Sequence, residues 1–220
     1  MRLDIVTLFP ECFGPLHSSI PARAQQKNAL DLHLHWLREF GIGTHRQVDD
    51  TPFGGGPGMV LKCEPIFRCL ESIPKQDDTL VIYPTPQGKP FKQNDAKELS
   101  KRSQLIFLCG HYEGVDQRVR DKLVDREYSL GDYVLSSGEL AAMTMSDTII
   151  RLLPGVIKAE SYEQDSFFSG GLDHPHYTKP ADYQGLKVPP VLLSGHHKKI
   201  DEWRQAKAQA ITQEIRPDLK

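Results

Sequence analysis

Short apolar runs and longer polar segments alternate along most of the chain up to residue 155. Continuous apolar runs of this length are typical of strands in a sheet that is covered on both faces. Leu30–Leu37 differs because its apolar residues alternate with polar ones, which predicts a strand with one buried face. The predicted strands are Leu3–Leu8, Leu30–Leu37, Thr79–Tyr83, Leu105–Cys109 and Tyr128–Leu135.

Segments with helical character lie between the predicted strands. Ser136-Ser-Gly-Glu139 matches a capping box, in which Ser136 accepts from a backbone N–H and Glu139 reaches back to the cap. Strands that alternate with helices predict an α/β domain with a largely parallel sheet. Helices are predicted at Asn94–Arg102, Val115–Val124, Leu140–Leu153 and Lys198–Glu214.

The pattern changes beyond residue 155. Lys158–His176 is polar, contains Gly170-Gly171 and has little periodicity, which indicates a linker or mobile loop. A helix is predicted further on, at Lys198–Glu214. The last 60 residues or so are therefore expected to form a small second domain.

Net charge, the cysteine pattern and the length of the apolar runs restrict the kind of protein that this chain can be. The chain has 220 residues and a formal net charge of −2, which argues against indiscriminate nucleic-acid binding but allows a local basic surface. Four scattered cysteines without a CxxC pair predict a reducing, cytoplasmic setting. No apolar run approaches the roughly 20 residues of a membrane span, so no membrane association is expected.

Three loops that follow predicted strands favour a small-molecule pocket. They begin at Tyr83, Gly110 and Leu130, and each contains glycine or proline. Glycine lets bare backbone N–H and C=O groups face a ligand, and ligands gather at the carboxyl ends of parallel strands. Pro52–Gly58 is also glycine-rich, but it matches neither the P-loop nor the dinucleotide pattern. We interpret it as a substrate-facing or interface loop, with a flexible surface loop as the alternative.

Individual polar residues allow two interpretations each. Arg151 at the end of a predicted helix is either an ordinary C-terminal cation or a guanidinium aimed at a developing anion. Asp165 by itself is most simply a solvated loop acid or a helix cap. His174-Pro-His176 and His196-His197 lack an evident third ligand, so polar loops are favoured over a metal site.

A series of motifs occurs along the chain in one order, and it includes Gly54–Met59, Pro86–Gly88, Cys109–Gly114, Ser129–Ser136, Gly138-Glu139, Asp165–Phe167, Pro175–Thr178 and Val188–Gly195. Taken together, these motifs resemble those of the bacterial tRNA (guanine-N1)-methyltransferase family, in the SPOUT superfamily. The resemblance covers nearly the whole chain, from Leu3 to about Arg204. Ser137, Ala141 and His111 depart from it, where glycine, proline and arginine are expected, and the spacing between Arg151 and Asp165 is one residue shorter.

The resemblance implies a fold and an assembly. The expected fold is an α/β SPOUT domain with a mostly parallel sheet and a deep trefoil knot, followed by a small, mainly helical domain. The implied boundaries are 1–157 for the methyltransferase domain, 158–176 for a flexible linker and 177–220 for a tRNA-binding domain. The expected assembly is a homodimer with shared active sites that binds the anticodon stem-loop of tRNA.

The resemblance also implies an activity, which is methyl transfer from S-adenosyl-L-methionine to N1 of guanine 37 in tRNA. Asp165 would be the general base and Arg151 would stabilise the charge that develops on the guanine. A magnesium requirement has been linked to the family, but no metal ligands are assigned. The residues expected to bind the cofactor are Tyr83, Pro84, Thr85, Pro86, Gly110, Tyr112, Glu113, Gly114, Leu130, Gly131, Asp132, Tyr133, Val134, Leu135 and Gly138.

Two alternatives remain open at this point. One is a related SPOUT methyltransferase with a different target nucleotide. The other is a non-catalytic RNA-binding module of the same fold. A metal-dependent hydrolase built on the histidine pairs is the least favoured.

Overall fold

A computed structural model describes residues 1–219, which divide into two compact units, the first spanning Met1–Ile157 and the second beginning at Lys158. Five strands of the first unit form a fully parallel sheet in the order β2-β1-β6-β5-β7, which confirms the predicted α/β class with a mostly parallel sheet. A short antiparallel pair, β3-β4, lies outside it. The strands of the first unit are β1 (Arg2–Thr7), β2 (Asp31–Trp36), β3 (Asp49–Asp50), β4 (Val60–Leu61), β5 (Leu80–Pro90), β6 (Gln104–Leu108) and β7 (Arg126–Ser129).

Helices follow most of these strands and bury the sheet. β6 is buried along its whole length, as expected for a central strand of a doubly covered parallel sheet. Two 3-10 helices, Pro10–His17 and Leu37–Phe40, complete the first unit. Its α-helices are α1 (Ser19–Gln26), α2 (Cys63–Ser72), α3 (Gln93–Leu99), α4 (Gln117–Leu123) and α5 (Gly138–Ile150).

Helices also dominate the second unit. Its long helix is anchored by Thr212, whose Oγ1 accepts a hydrogen bond from the Leu172 backbone N–H at 2.8 Å. The segment interpreted as a linker therefore contains a short helix and a bond to the C-terminal helix. The elements are α6 (Ala159–Glu163), β8 (Asp182–Tyr183), β9 (Leu186–Lys187), α7 (Pro190–Leu193) and α8 (His197–Ile215). Among residues 1–219, no helix is both long and apolar enough to cross a membrane.

Three strand predictions need correction. The predicted strand Tyr128–Leu135 is too long, because the Ser129 hydroxyl donates to the Gly131 carbonyl at 3.0 Å and turns the chain away after β7. β5 instead runs on to Pro90, with a register shift between Pro84 and Lys89 where a separate loop was expected. β2 lies at the sheet edge, so its residues 32–35 are half-buried on both faces and not alternately buried and exposed.

A buried carboxylate fixes the register of the central strands. Asp4 on β1 is fully buried and accepts hydrogen bonds, each 2.8 Å long, from Arg2, from His35 on β2 and from Gln104 on β6. Burial alone would raise the pKa of Asp4. The hydrogen bonds from His35, Arg2 and Gln104 outweigh it and hold that pKa well below its ordinary value. Asp4 is therefore ionised in the folded protein and ties three neighbouring strands together.

We expect Asp4→Asn to lower the free energy of unfolding by about 2–3 kcal/mol at pH 7, because charge-assisted hydrogen bonds are lost inside the sheet. The pKa of Asp4 is lower in the folded than in the unfolded state, so its contribution is complete above about pH 4 and is lost as the pH falls further. The difference between wild type and variant should therefore shrink between pH 7 and pH 3. Urea unfolding at several pH values, followed by Trp36 fluorescence, measures the difference in the free energy of unfolding. Both proteins carry Trp203→Phe, so that Trp36 is their single tryptophan.

Asp31→Asn on the edge strand is the matched control for that measurement. Asp31 contacts His33, but its side chain is 68% exposed, so the same change should cost less than about 1 kcal/mol. Equal losses for the two variants would contradict a special role for the Asp4 network.

Candidate active site

A cleft of about 330 Å³ opens at the register shift of β5 and at the carboxyl ends of β6 and β7. This is the edge at which open α/β sheets bind ligands, and the volume is within the range of small-molecule sites. Its walls combine backbone, apolar side chains and a few polar groups. The lining residues are Tyr83, Pro84, Thr85, Pro86, Gln87, Gly110, His111, Tyr112, Glu113, Gly114, Val115, Arg120, Tyr128, Ser129, Leu130, Tyr133, Val134, Leu135, Ser136, Ser137, Gly138 and Ala141.

The predicted cofactor-binding residues lie together in this cleft, with two exceptions. Gly131 and Asp132 do not line it. They form the turn after β7, where the Gly131 backbone is hydrogen bonded to the Ser129 hydroxyl. The Tyr133 ring folds back so closely that a Cβ on Gly131 would lie 2.7 Å from it. A cofactor role for the remaining residues stays a prediction.

Two glycines bring the loops into direct contact. The Gly138 N–H donates to the Gly110 carbonyl at 2.8 Å, joining the start of α5 to the loop after β6. A Cβ on Gly138 would lie 2.7 Å from the Gly110 nitrogen, and a Cβ on Gly110 would lie 2.8 Å from the Tyr83 hydroxyl oxygen. Such distances leave no room for a side chain. The cleft floor is thus main chain packed against main chain.

Glu139 has a different role from the capping box predicted for it. Ser137 is the N-cap residue of α5, and within residues 1–219 its side chain forms no capping hydrogen bond. Glu139 is 2% exposed, and its Oε1 accepts a 2.6 Å hydrogen bond from the Thr7 hydroxyl at the end of β1. A long-range bond to the sheet has therefore replaced the local cap. It fixes the helix that starts directly behind the cleft.

Arg120 is a cleft residue that sequence reasoning missed. It comes from α4, which lies in the segment Val115–Val124 that was predicted only to be helical. Its Nε and Nη2 donate to the two carboxylate oxygens of Glu127 at 2.7 and 2.8 Å, and Nη1 donates to Gln87 at 2.5 Å. Its guanidinium also lies 5.7 Å from the centre of the Tyr83 ring. Arg120 thereby holds the β5 bulge and β7 together at the cleft wall.

The Gly110–Gly114 loop carries a strained residue. Tyr112 has a φ of +58°, a left-handed conformation that is rare for a bulky residue, and such strain is typical of functional loops. His111 packs against it with ring centres 4.5 Å apart. The Glu113 N–H donates to the Met59 carbonyl at 3.0 Å, and a Cβ on Gly58 would lie 2.5 Å from the Glu113 carboxylate. The glycine-rich segment 52–58 is therefore packed against a cleft loop.

Cys109 is close to the cleft but is not a nucleophile. Its side chain is buried, and that burial raises the pKa of the Cys109 thiol well above its ordinary value, with the Glu139 carboxylate acting in the same direction. A thiol under these conditions stays protonated at neutral pH and is chemically inert.

The two predicted catalytic residues belong to different units. Arg151 is half-buried at the C-terminal end of α5 in the first unit, where its N–H bonds the Asp147 carbonyl at 3.2 Å. Asp165 lies in the second unit, in the turn after α6, where its N–H bonds the Tyr162 carbonyl at 3.2 Å. Within the first unit, Arg151 is not among the lining residues of the cleft, and the catalytic assignment of both residues stays a prediction.

Comparison with known proteins gives consistent matches over the full chain. The family model described as tRNA (Guanine-1)-methyltransferase TrmD matches residues 1–220. A tRNA (guanine-N(1)-)-methyltransferase of Macrococcus caseolyticus is 53% identical over 219 residues, covering 100% of this chain and 91% of that protein. A protein of the same name from Fusobacterium nucleatum is 57% identical, and the match covers 93% of this chain and 84% of that protein. Another from Clostridium botulinum is 50% identical, and the match covers 100% of this chain and 91% of that protein.

Gly138→Ala tests the contact at the cleft floor. In a helix without tertiary contacts, alanine would stabilise relative to glycine by about 0.5–1 kcal/mol. We expect the opposite sign here, a loss of about 1–3 kcal/mol in the free energy of unfolding, because the new Cβ meets backbone. Gly14→Ala is the control, since nothing lies within 4 Å of its Cβ position. Urea denaturation of both variants measures the free energy of unfolding. A Gly138→Ala protein that is more stable than the wild type would contradict the packing described.

Proposed function

The chain belongs to the tRNA (guanine-1)-methyltransferase family, and we propose that it transfers a methyl group from S-adenosyl-L-methionine to N1 of guanine 37 in tRNA. The main support for methyl transfer to tRNA is the match of the family model to residues 1–220. Relatives at 50–57% identity bear the name tRNA (guanine-N(1)-)-methyltransferase, so the chain is an enzyme that methylates guanine N1 in tRNA. The choice of position 37 rests on the motif resemblance.

The cleft suits the proposed cofactor. When bound, S-adenosyl-L-methionine supplies a methyl group on a positively charged sulfur. The glycine-lined floor offers backbone N–H and C=O groups at close range, and Leu130, Val134 and Leu135 offer apolar contact. We propose that the lining residues from the three loops hold the cofactor. Arg120 would hold the wall in place through Glu127 and Gln87.

The chemistry requires a base and a cation near the target guanine. Guanine N1 carries a proton at neutral pH, so it becomes a nucleophile only as that proton leaves. We assign the base to Asp165, whose carboxylate would accept the proton. Arg151 would stabilise the negative charge that builds toward O6. Holding the methyl donor and guanine N1 in line would supply much of the remaining rate enhancement.

The same resemblance supports a proposal for the assembly. Residues 1–157 would form a knotted SPOUT domain, 158–176 a flexible linker and 177–220 a domain that binds the anticodon stem-loop. Lys198, Lys199 and Lys207 on α8 offer cations for phosphate contacts there. Two copies would share their active sites, with Asp165 acting on the partner's substrate. We place the enzyme in the cytoplasm, and we assign no ligands to the magnesium linked to the family.

Transcripts that differ only at position 37 test the proposed target. With labelled S-adenosyl-L-methionine, a tRNA that carries guanine there should be methylated, and its adenine-37 counterpart should not. Nuclease digestion and mass spectrometry locate the methyl group. Equal labelling of the two transcripts would favour the alternative of a related SPOUT enzyme with another target. Binding of tRNA without any transfer would favour the non-catalytic module.

Asp165→Ala tests the base. We expect turnover to fall on the order of 10²–10⁴-fold, because a general base contributes that much, while calorimetric affinity for S-adenosyl-L-methionine stays unchanged. Glu163→Ala is the matched control, since Glu163 is an exposed acid two residues earlier, at the end of α6. A fully active Asp165→Ala enzyme would remove this residue from the mechanism. Lack of cofactor uptake by the folded wild type would remove the cofactor proposal.

A further inference from the structure

Three potential metal ligands lie together in the second unit. The ligand atoms of Asp173, His174 and His176 are all within 4.8 Å of one another. The sequence favoured a polar loop for the two histidines because no third ligand was evident. The fold supplies that third ligand as the residue directly before His174. His196 and His197 do not belong to this group.

The spacing of the ligand atoms is close to what a metal ion requires. His176 Nε2 lies 2.8 Å from Asp173 Oδ2, and His174 Nε2 lies 3.7 Å from Asp173 Oδ1. Ligands bound at about 2.0–2.2 Å in a tetrahedral site lie roughly 3.5 Å from one another. Small side-chain rotations would therefore place all three around one ion. The ion would replace the proton that His176 and Asp173 share.

The tautomer of His174 also suits a ligand. Its Nδ1 lies 3.2 Å from the Pro175 carbonyl oxygen. A carbonyl oxygen only accepts hydrogen bonds, so Nδ1 carries a proton, and in the neutral ring the free lone pair is on Nε2, the nitrogen next to Asp173. Metal-binding histidines commonly donate their second ring N–H to a backbone carbonyl in this way.

Further contacts hold the carboxylate in place. The Asp173 N–H donates to the Ser166 hydroxyl at 2.9 Å, and Asp173 Oδ1 accepts from the His174 N–H at 2.6 Å. Together with the 2.8 Å contact between His176 Nε2 and Asp173 Oδ2, these bonds fix the orientation of the carboxylate.

One side of the cluster is open to solvent and the other is packed. The His176 side chain is 71% exposed, while that of His174 is 13% exposed and lies 6.5 Å from the Trp203 ring. Both histidines line a cavity of about 490 Å³. Arg204 lines the same cavity, but its guanidinium is bonded to Asp201 at 3.3 Å. An ion therefore has a route in and room for a water ligand.

We propose that Asp173, His174 and His176 bind one divalent transition-metal ion of the Zn²⁺ type, with water completing its coordination. Two imidazoles and one carboxylate suit Zn²⁺ and its late first-row neighbours, whereas Mg²⁺ prefers oxygen ligands alone. The bound ion would hold Asp173 and, through Ser166, the segment that begins next to Asp165. The site itself does not depend on the proposed methyl transfer.

Calorimetry with Zn²⁺ on the full-length, chelator-treated protein tests this site. We expect one ion per chain, no displacement by excess Mg²⁺, and affinity lowered at least about tenfold in a His174→Ala/His176→Ala variant. His196→Ala/His197→Ala is the matched control, and Cys12→Ser/Cys63→Ser excludes binding by the accessible thiols. Both should keep wild-type affinity.

His176→Gln covers the case in which the double variant fails to fold. This side chain is mostly exposed, so the variant should fold normally, yet it should lose affinity and the rise in melting temperature that Zn²⁺ gives the wild type. Absence of saturable Zn²⁺ binding by the wild type would overturn the proposal. The proposal would also be overturned if both His176→Gln and the double histidine variant bound Zn²⁺ as tightly as the wild type. Loss of Zn²⁺ binding in the Cys12→Ser/Cys63→Ser variant would overturn it as well.

Discussion

The contact between Gly138 and Gly110 is the constraint on which the cleft depends. Main chain meets main chain there without room for a Cβ, and the Tyr83 hydroxyl closes in from β5. Loops from three different strands thereby share one floor, although they are far apart in sequence. Because this contact is made by backbone atoms, the identity of the neighbouring side chains can vary. Ser137 and Ala141, where the family resemblance leads one to expect glycine and proline, both line the cleft.

Local signals predicted the parallel sheet well, since continuous apolar runs mark its buried strands. Errors arose where a single contact overrode the pattern. β7 ends early because the Ser129 hydroxyl forms a turn with Gly131, and Glu139 does not cap its helix because it bonds Thr7, 132 residues away in the chain. Helices α1 and α2 were missed altogether. Their proline-containing sequences, Ser19–Gln26 and Cys63–Ser72, gave no clear start signal.

The candidate site was predictable to the extent that it is built from contiguous motifs. Each loop can be recognised from its own sequence, and most of the residues predicted in this way do line the cleft. Arg120 could not be found in this way, because its contacts with Glu127, Gln87 and Tyr83 exist only after β5, α4 and β7 have packed. Asp173 was overlooked for a different reason: it stands directly before His174 in the sequence, and only the folded loop shows its carboxylate next to both histidines. The catalytic roles of Asp165 and Arg151 rest on the family resemblance.

The bond between Thr7 and Glu139 has a consequence for how the protein is made. Thr7 ends β1, while its buried partner Glu139 is added to the growing chain 132 residues later. A nascent chain can form local helices early, but contacts of such long sequence separation are slow and must wait. The edge of the sheet at which the cleft opens is therefore incomplete until α5 has been added. Chaperones that shield apolar strands during this interval would protect the chain until α5 is synthesised.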